Sequence, residues 1–196
     1  MQRTVVVGMG HIGHRHARAY TECEQAQLVA VCDRVEELAR AAGEKFGVPY
    51  FTSAKECYAA MQPDIVSILI GINDVGVSRN TGISLKARQF PEQFEYLIQG
   101  ILENTGARIL CLGPFLFPHP EEYLNWIPET LRAEHWISEI SANYQLPFCP
   151  LQETLNQEAK RQGYDALTTD GIHPTAAGNQ IICAQWLSLY HRYCGK

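Results

Sequence analysis

Residues Val5–Tyr20 read VVVGMGHIGHRHARAY, and this stretch decides the fold. The valines make a short apolar β run, and an amphipathic segment follows after a turn holding Gly8, Gly10 and Gly13. In G-x-G-x-x-G, the first glycine permits a tight turn and the second lets a pyrophosphate approach the backbone. The third lets helix and strand pack closely. The free N–H groups of the helix N-terminus then face the phosphates. Asp33 stands 20 positions after Gly13, at the end of the next apolar run, where a carboxylate accepts ribose hydroxyls. The pattern predicts NAD rather than NADP, since Asp33 repels a 2′-phosphate and Arg34 offsets that only in part.

Outward from this turn, apolar runs alternate with helical periodicity to the C-terminus. Strands are expected at 4–7, 28–32, 49–51, 65–70, 108–112 and 147–151. Helices are expected at 11–21, 35–46, 53–61, 91–104, 152–162 and 175–193, with a broken one over 120–144. Such alternation implies α/β architecture. We expect a single domain, residues 1–196, with one doubly wound, mostly parallel six-stranded Rossmann-like sheet of order 3-2-1-4-5-6 and helices on both faces.

The net charge of −5 and the lack of a clustered basic surface exclude a nucleic-acid footprint. No apolar run approaches the roughly 20 residues that span a bilayer, and MQRTVVVGMG reads as a folded strand rather than a leader. Seven cysteines scattered singly suit reduced thiols in the cytoplasm. Most should be buried, with Cys194 the exposed exception. His11, His14 and His16 have no carboxylate or thiolate beside them in sequence, so no metal site is expected.

VVVGMGHIGHRHARAY followed by LVAVCDRVEELARAAGEKFGVPYFTSAKECYAAMQPDIVSI, Leu28–Ile68, resembles the nucleotide-binding domain of the Gfo/Idh/MocA oxidoreductases over residues 1–68. The resemblance implies NAD held by Gly8, Gly10, His11, Ile12, Gly13, Asp33 and Arg34. It then stops: that family's Glu-Lys-Pro segment with its catalytic lysine and its large substrate domain are missing.

From Pro63 the chain resembles the SGNH (GDSL-type) esterases and lipases instead. PDIVSILIGINDVG carries a G-x-N-D block at Gly71, Asn73 and Asp74, and DGIHPTAAG a D-x-x-H block at Asp170 and His173. The resemblance implies His173 as general base, Asp170 as its orienting acid and Asn73 as oxyanion donor. The family's Gly-Asp-Ser falls on Gly8-Met9-Gly10, so the serine nucleophile is absent. Ser67 lies in a strand, and Ser78 and Ser84, read as loop residues, are the substitutes weighed.

Residues 1–68 thus form an NAD-type half and 69–196 a hydrolase-derived half, joined within one strand, as in an engineered chimera. In a six-stranded sheet the nicotinamide of NAD would reach Gly71, Asn73 and His173. The expected function is residual dinucleotide binding by a monomer, without efficient catalysis. The alternative is a weak esterase using His173 and Asp170 with a non-native nucleophile; the third reading is an NAD-dependent oxidoreductase.

Overall fold

The computed structural model describes residues 2–24 and 26–194, the side chains of His11 and Ile12 excepted. The fold is α/β, in two compact units: residues 1–66 with 97–108, and residues 67–96 with 109–196.

In the first unit, β1 (Gln2–Val7), β2 (Ala26–Cys32) and β3 (Tyr50–Phe51) form a parallel sheet in that order. Helices α1 (His11–Glu22) and α2 (Glu36–Phe46) supply the two crossovers, and α3 (Ala54–Met61) follows β3. The β1–β2 register slips by one residue between Thr4 and Val5, where Thr4 pairs with Leu28 but Val5 with Ala30. A bulge reverses side-chain parity along a strand. Leu28 and Val31, three apart, therefore join one core with Val6, Met9, Ala17 and Ala42. Ala30 and Cys32 join the other, with Cys57.

The second sheet runs β4 (Ile65–Leu69), β5 (Arg108–Leu112), β6 (Phe148–Cys149). Strand β5, central in it, is buried continuously from Ile109 to Leu112, as a strand covered on both faces must be. Around it in sequence come α4 (Ile72–Thr81), α5 (Phe90–Asn104), a 3-10 turn (Glu121–Trp126), α6 (Ile127–Asn143), α7 (Gln152–Gln162), α8 (Tyr164–Leu167) and α9 (Ala176–Tyr193). Gln152 clamps the segment after β5 to α7: its Oε1 accepts from Leu116 N at 2.9 Å and its Nε2 donates to Leu116 O at 2.8 Å.

Three expectations need correction. The six strands are divided between two three-stranded sheets rather than joined in one, and among the described residues β1 pairs with β2 alone. At Arg3 the free edge of β1 meets a side chain and the end of α3 instead of a strand. Arg3 N points at Asp64 Oδ2, 3.4 Å away, and the Arg3 guanidinium donates to Met61 O at 2.9 Å. Val7, at the other end of that edge, is 47% exposed. Second, the stretch after Gly71, read as a loop with Ser78 in it, is helix α4. Gly71 starts it at φ 116° and Gly82 ends it in the left-handed region at φ 72°; both conformations favour glycine. Third, Cys194 is buried, and the exposed cysteines are Cys23 and Cys183.

The expected break near Pro128 falls just before it, where the 3-10 turn gives way to α6 with the proline in its first turn. Ser53, at the start of the helix expected over 53–61, caps α3, its Oγ accepting from Glu56 N at 3.3 Å. Replacing such a cap by alanine costs about 1 kcal/mol, and by glycine only a few tenths. Urea unfolding should therefore show Ser53→Ala destabilised by about 1 kcal/mol and Ser53→Gly clearly less so.

Candidate functional site

In the first unit the candidate residues cluster at the carboxyl ends of β1 and β2. Gly8, at φ 90°, extends the ladder by donating its N–H to Cys32 O at 2.8 Å. Met9 then turns its side chain fully into the core. Its backbone N–H donates to Asp33 Oδ2 at 2.6 Å, while Asp33 Oδ1 accepts from Val35 N at 2.8 Å. Asp33 thus fastens the glycine turn to the loop after β2. Two of a carboxylate's four or so acceptor positions are used, which leaves capacity for a ligand hydroxyl.

Gly10 starts α1 with no side-chain cap, and no acidic residue stands in the first turn. Gly13 lies against the turn so closely that a Cβ there would collide with the Gly8 carbonyl oxygen. This is the close helix–strand packing that the third glycine of the motif was expected to allow. The side chains of His11 and Ile12 lie outside the described residues. His14 packs on Phe46, ring centroids 5.8 Å apart. Among the described residues no three His, Cys, Asp or Glu side chains gather to hold a metal.

Beside the turn is a cleft of about 370 Å³ lined by Val7, Gly8, Cys32, Asp33, Arg34, Thr52 and Ala54. Thr52 and Ala54 were missed by sequence reasoning. The signal was available: both follow β3, and in parallel sheets ligands gather at the carboxyl ends of strands.

The second unit holds the other candidates. Asp170 and His173 are assembled: Oδ2 lies 2.7 Å from the imidazole Nδ1, and Oδ1 accepts from the backbone N–H groups of Ile172 and His173 at 2.9 and 2.7 Å. Burial by itself would raise the Asp170 carboxyl. The hydrogen bonds from the backbone and side chain of His173 and from Ile172 outweigh it and hold the group below the usual carboxylate range. Thr168 ties off the loop, donating its hydroxyl to His173 O at 3.0 Å and accepting from Gly171 N at 2.8 Å. Both members of the pair are about half exposed.

Gly71 begins α4, with Pro114 and Phe90 against its Cα. Asn73 is exposed in the first turn. Asp74, half-buried, lines a small cavity of about 160 Å³ with Ile70, Phe90, Gln93 and Phe94.

No serine among the described residues bonds to His173. Ser67 Oγ accepts from Trp186 Nε1 at 2.7 Å, and Ser84 Oγ from Ala87 N at 3.2 Å. Ser78 is buried within α4. Gly10, on which the sequence reading set the missing serine, starts α1 in the first unit.

Residues 55–181 match the GDSL-like lipase/acylhydrolase family. The chain belongs to that family. This GDSL-like chain also matches, over residues 2–78, an oxidoreductase family with an NAD-binding Rossmann fold. Both parts of the two-part reading are thus matched. The GDSL-like chain is 24% identical over 139 residues to an acetylxylan esterase of Geobacillus stearothermophilus, an alignment covering 68% of the chain and 62% of that relative. It therefore spans less than two thirds of that relative's length. Its fold is similar to LAE5, an alpha/beta hydrolase from the metagenome of Lake Arreo, Spain (TM-score 0.63, 16% identity, 100% of this chain and 96% of that one). It is also similar to a catalytic mutant of an acetylxylan esterase from Geobacillus stearothermophilus (TM-score 0.60, 18% identity, 96% and 93%).

The Asp170 geometry sets a pH dependence. A carboxyl held low in the folded chain contributes stability that is present above its unfolded value, about 3.9, and lost as pH falls through the folded value. Asp170→Asn should therefore lower the urea midpoint at pH 6, and the difference from the parent chain should shrink as pH falls through the folded value.

Proposed function

We propose that the first unit is an NAD-binding module and that the chain has no efficient catalysis of its own. The observation supporting this most directly is the uncapped N-terminus of α1 behind the Gly8–Gly13 turn, with the Asp33 cleft beside it. The residues fit the group. The backbone of Gly10, His11, Ile12 and Gly13 would hold the pyrophosphate, and Asp33 would accept the ribose hydroxyls through its spare lone pairs. Arg34, which also lines the cleft, tempers the discrimination against a 2′-phosphate without reversing it. Bound NAD supplies a hydride acceptor. The chain has no Glu-Lys-Pro segment to work with it, so binding without turnover is expected. We infer further that the two parts were joined by engineering within Pro63–Ile68, a reading supported by the overlap of the two family matches across that stretch.

The Asp170–His173 contact favours a second reading, a weak esterase. Asp170 would fix the imidazole with its proton on Nδ1, leaving Nε2 to take a proton from water as that water attacks the ester carbonyl. Asn73 would donate to the oxyanion. Collapse of the tetrahedral adduct breaks the ester C–O bond, and the departing alkoxide recovers the proton from His173. Without a serine, turnover should be on the order of 10³-fold or less above water.

Calorimetric titration of NAD tests the first reading. Saturable binding is expected, weakened at least tenfold by Asp33→Asn, which keeps an acceptor for Met9 N but loses the charge. No heat at millimolar cofactor would overturn it. For the second, a chromogenic acetate ester should be hydrolysed slowly by the parent chain and not by His173→Ala; equal rates in the two would remove the esterase reading.

A further inference from the structure

Beside the Asp170–His173 pair, two aromatic side chains stand where no role has been assigned. Tyr123 and Trp126, both in the 3-10 turn, have ring centroids 4.8 Å apart at an interplanar angle of 52°. Tyr123 lies against Gly171, the residue after Asp170: a Cβ at Gly171 would stand 2.7 Å from its Cδ2 and 2.9 Å from its Cε2. Trp126 lies against Gly76, where a Cβ would stand 3.2 Å from Cζ3 and 3.4 Å from Cη2. Gly76 follows Asn73 by three residues on α4, and residues so spaced share a helix face. The aromatic pair thus runs from the loop that carries the base to the helix face that carries the oxyanion donor. Glycine at both contacts lets the rings meet backbone directly.

Both rings are half-buried, and among the described residues neither the Tyr123 hydroxyl nor the Trp126 indole N–H has a hydrogen-bond partner. Each offers an apolar face with an unused polar edge, the combination suited to a ligand that is flat or ring-shaped and partly polar. We propose that Tyr123 and Trp126 form a platform that selects esters whose alcohol carries a ring; this rests on the esterase reading above. The alcohol side follows from the chemistry. His173 returns its proton to the leaving alkoxide, so the alcohol oxygen must sit next to the imidazole, on the loop against which Tyr123 packs. Burial first, then the negative charges of Asp170 and Glu122, push the Tyr123 hydroxyl upward, so the platform keeps its hydroxyl protonated.

Saturation-transfer NMR with phenyl acetate, performed on the His173→Ala chain, reads binding without turnover. The ring protons should be saturated more strongly than the acetyl methyl. Tyr123→Ala in that background should cut the ring signal at least fivefold, with Tyr123→Phe retaining most of it and Trp126→Leu giving an intermediate loss. In the chain with His173 intact, the ratio of kcat/KM for phenyl acetate over ethyl acetate should fall in the same order. A ring signal indifferent to Tyr123→Ala and Trp126→Leu, or a methyl saturated more than the ring, overturns the platform. A ring signal that depends on Tyr123 in a chain that hydrolyses nothing supports the platform as a binding surface and overturns the esterase reading alone.

Discussion

The Asp33 carboxylate holds the first unit's working end together. One oxygen takes the Met9 N–H and the other the Val35 N–H, so a single side chain joins the glycine turn to the loop beyond β2. Charge-assisted hydrogen bonds of this kind are roughly twice as strong as neutral ones. Their geometry dictates what surrounds them. With Met9 N turned toward Asp33, the Met9 side chain is directed into the core, Gly10 is left to open α1, and Gly13 is brought onto the Gly8 carbonyl. The cleft takes its shape from the same arrangement, since Gly8, Asp33 and Arg34 form part of its wall.

The second unit repeats the theme with different parts. Asp170 receives two backbone N–H groups and the imidazole of His173, while Thr168 closes the loop across from it. The loop is therefore tied by its own hydrogen bonds, which hold the Asp170–His173 pair in contact.

Much of this was legible in the residues. The Val5–Gly13 stretch reads as strand, turn and helix because three glycines cannot serve all three purposes in any other local structure. Ser53 marks a helix start through capping chemistry that acts over a few residues. The D-x-x-H block is equally local, since its hydrogen bonds span three residues. What escaped was either ambiguous or non-local. The residues Ile72–Thr81 lack an apolar stripe and carry glycine inside, so nothing in their periodicity marks α4. The division into two sheets is a matter of long-range pairing, and beside it Arg3 meets Met61 and Asp64, some sixty residues away. Thr52, Ala54, Tyr123 and Trp126 belong to no sequence motif, and their interest comes only from what the fold sets next to them.

The distribution of thiols has a practical side. Cys32, Cys57, Cys111, Cys149 and Cys194 are buried, and burial with the neighbouring Cys32 pushes the Cys57 thiol up to about 12, far from the thiolate that maleimides attack. Cys23 and Cys183 are exposed, and one falls in each unit. The unaltered chain therefore arrives with a matched pair of attachment points. With the other thiol replaced by serine, an environment-sensitive dye at either one would report the melting of the unit that carries it.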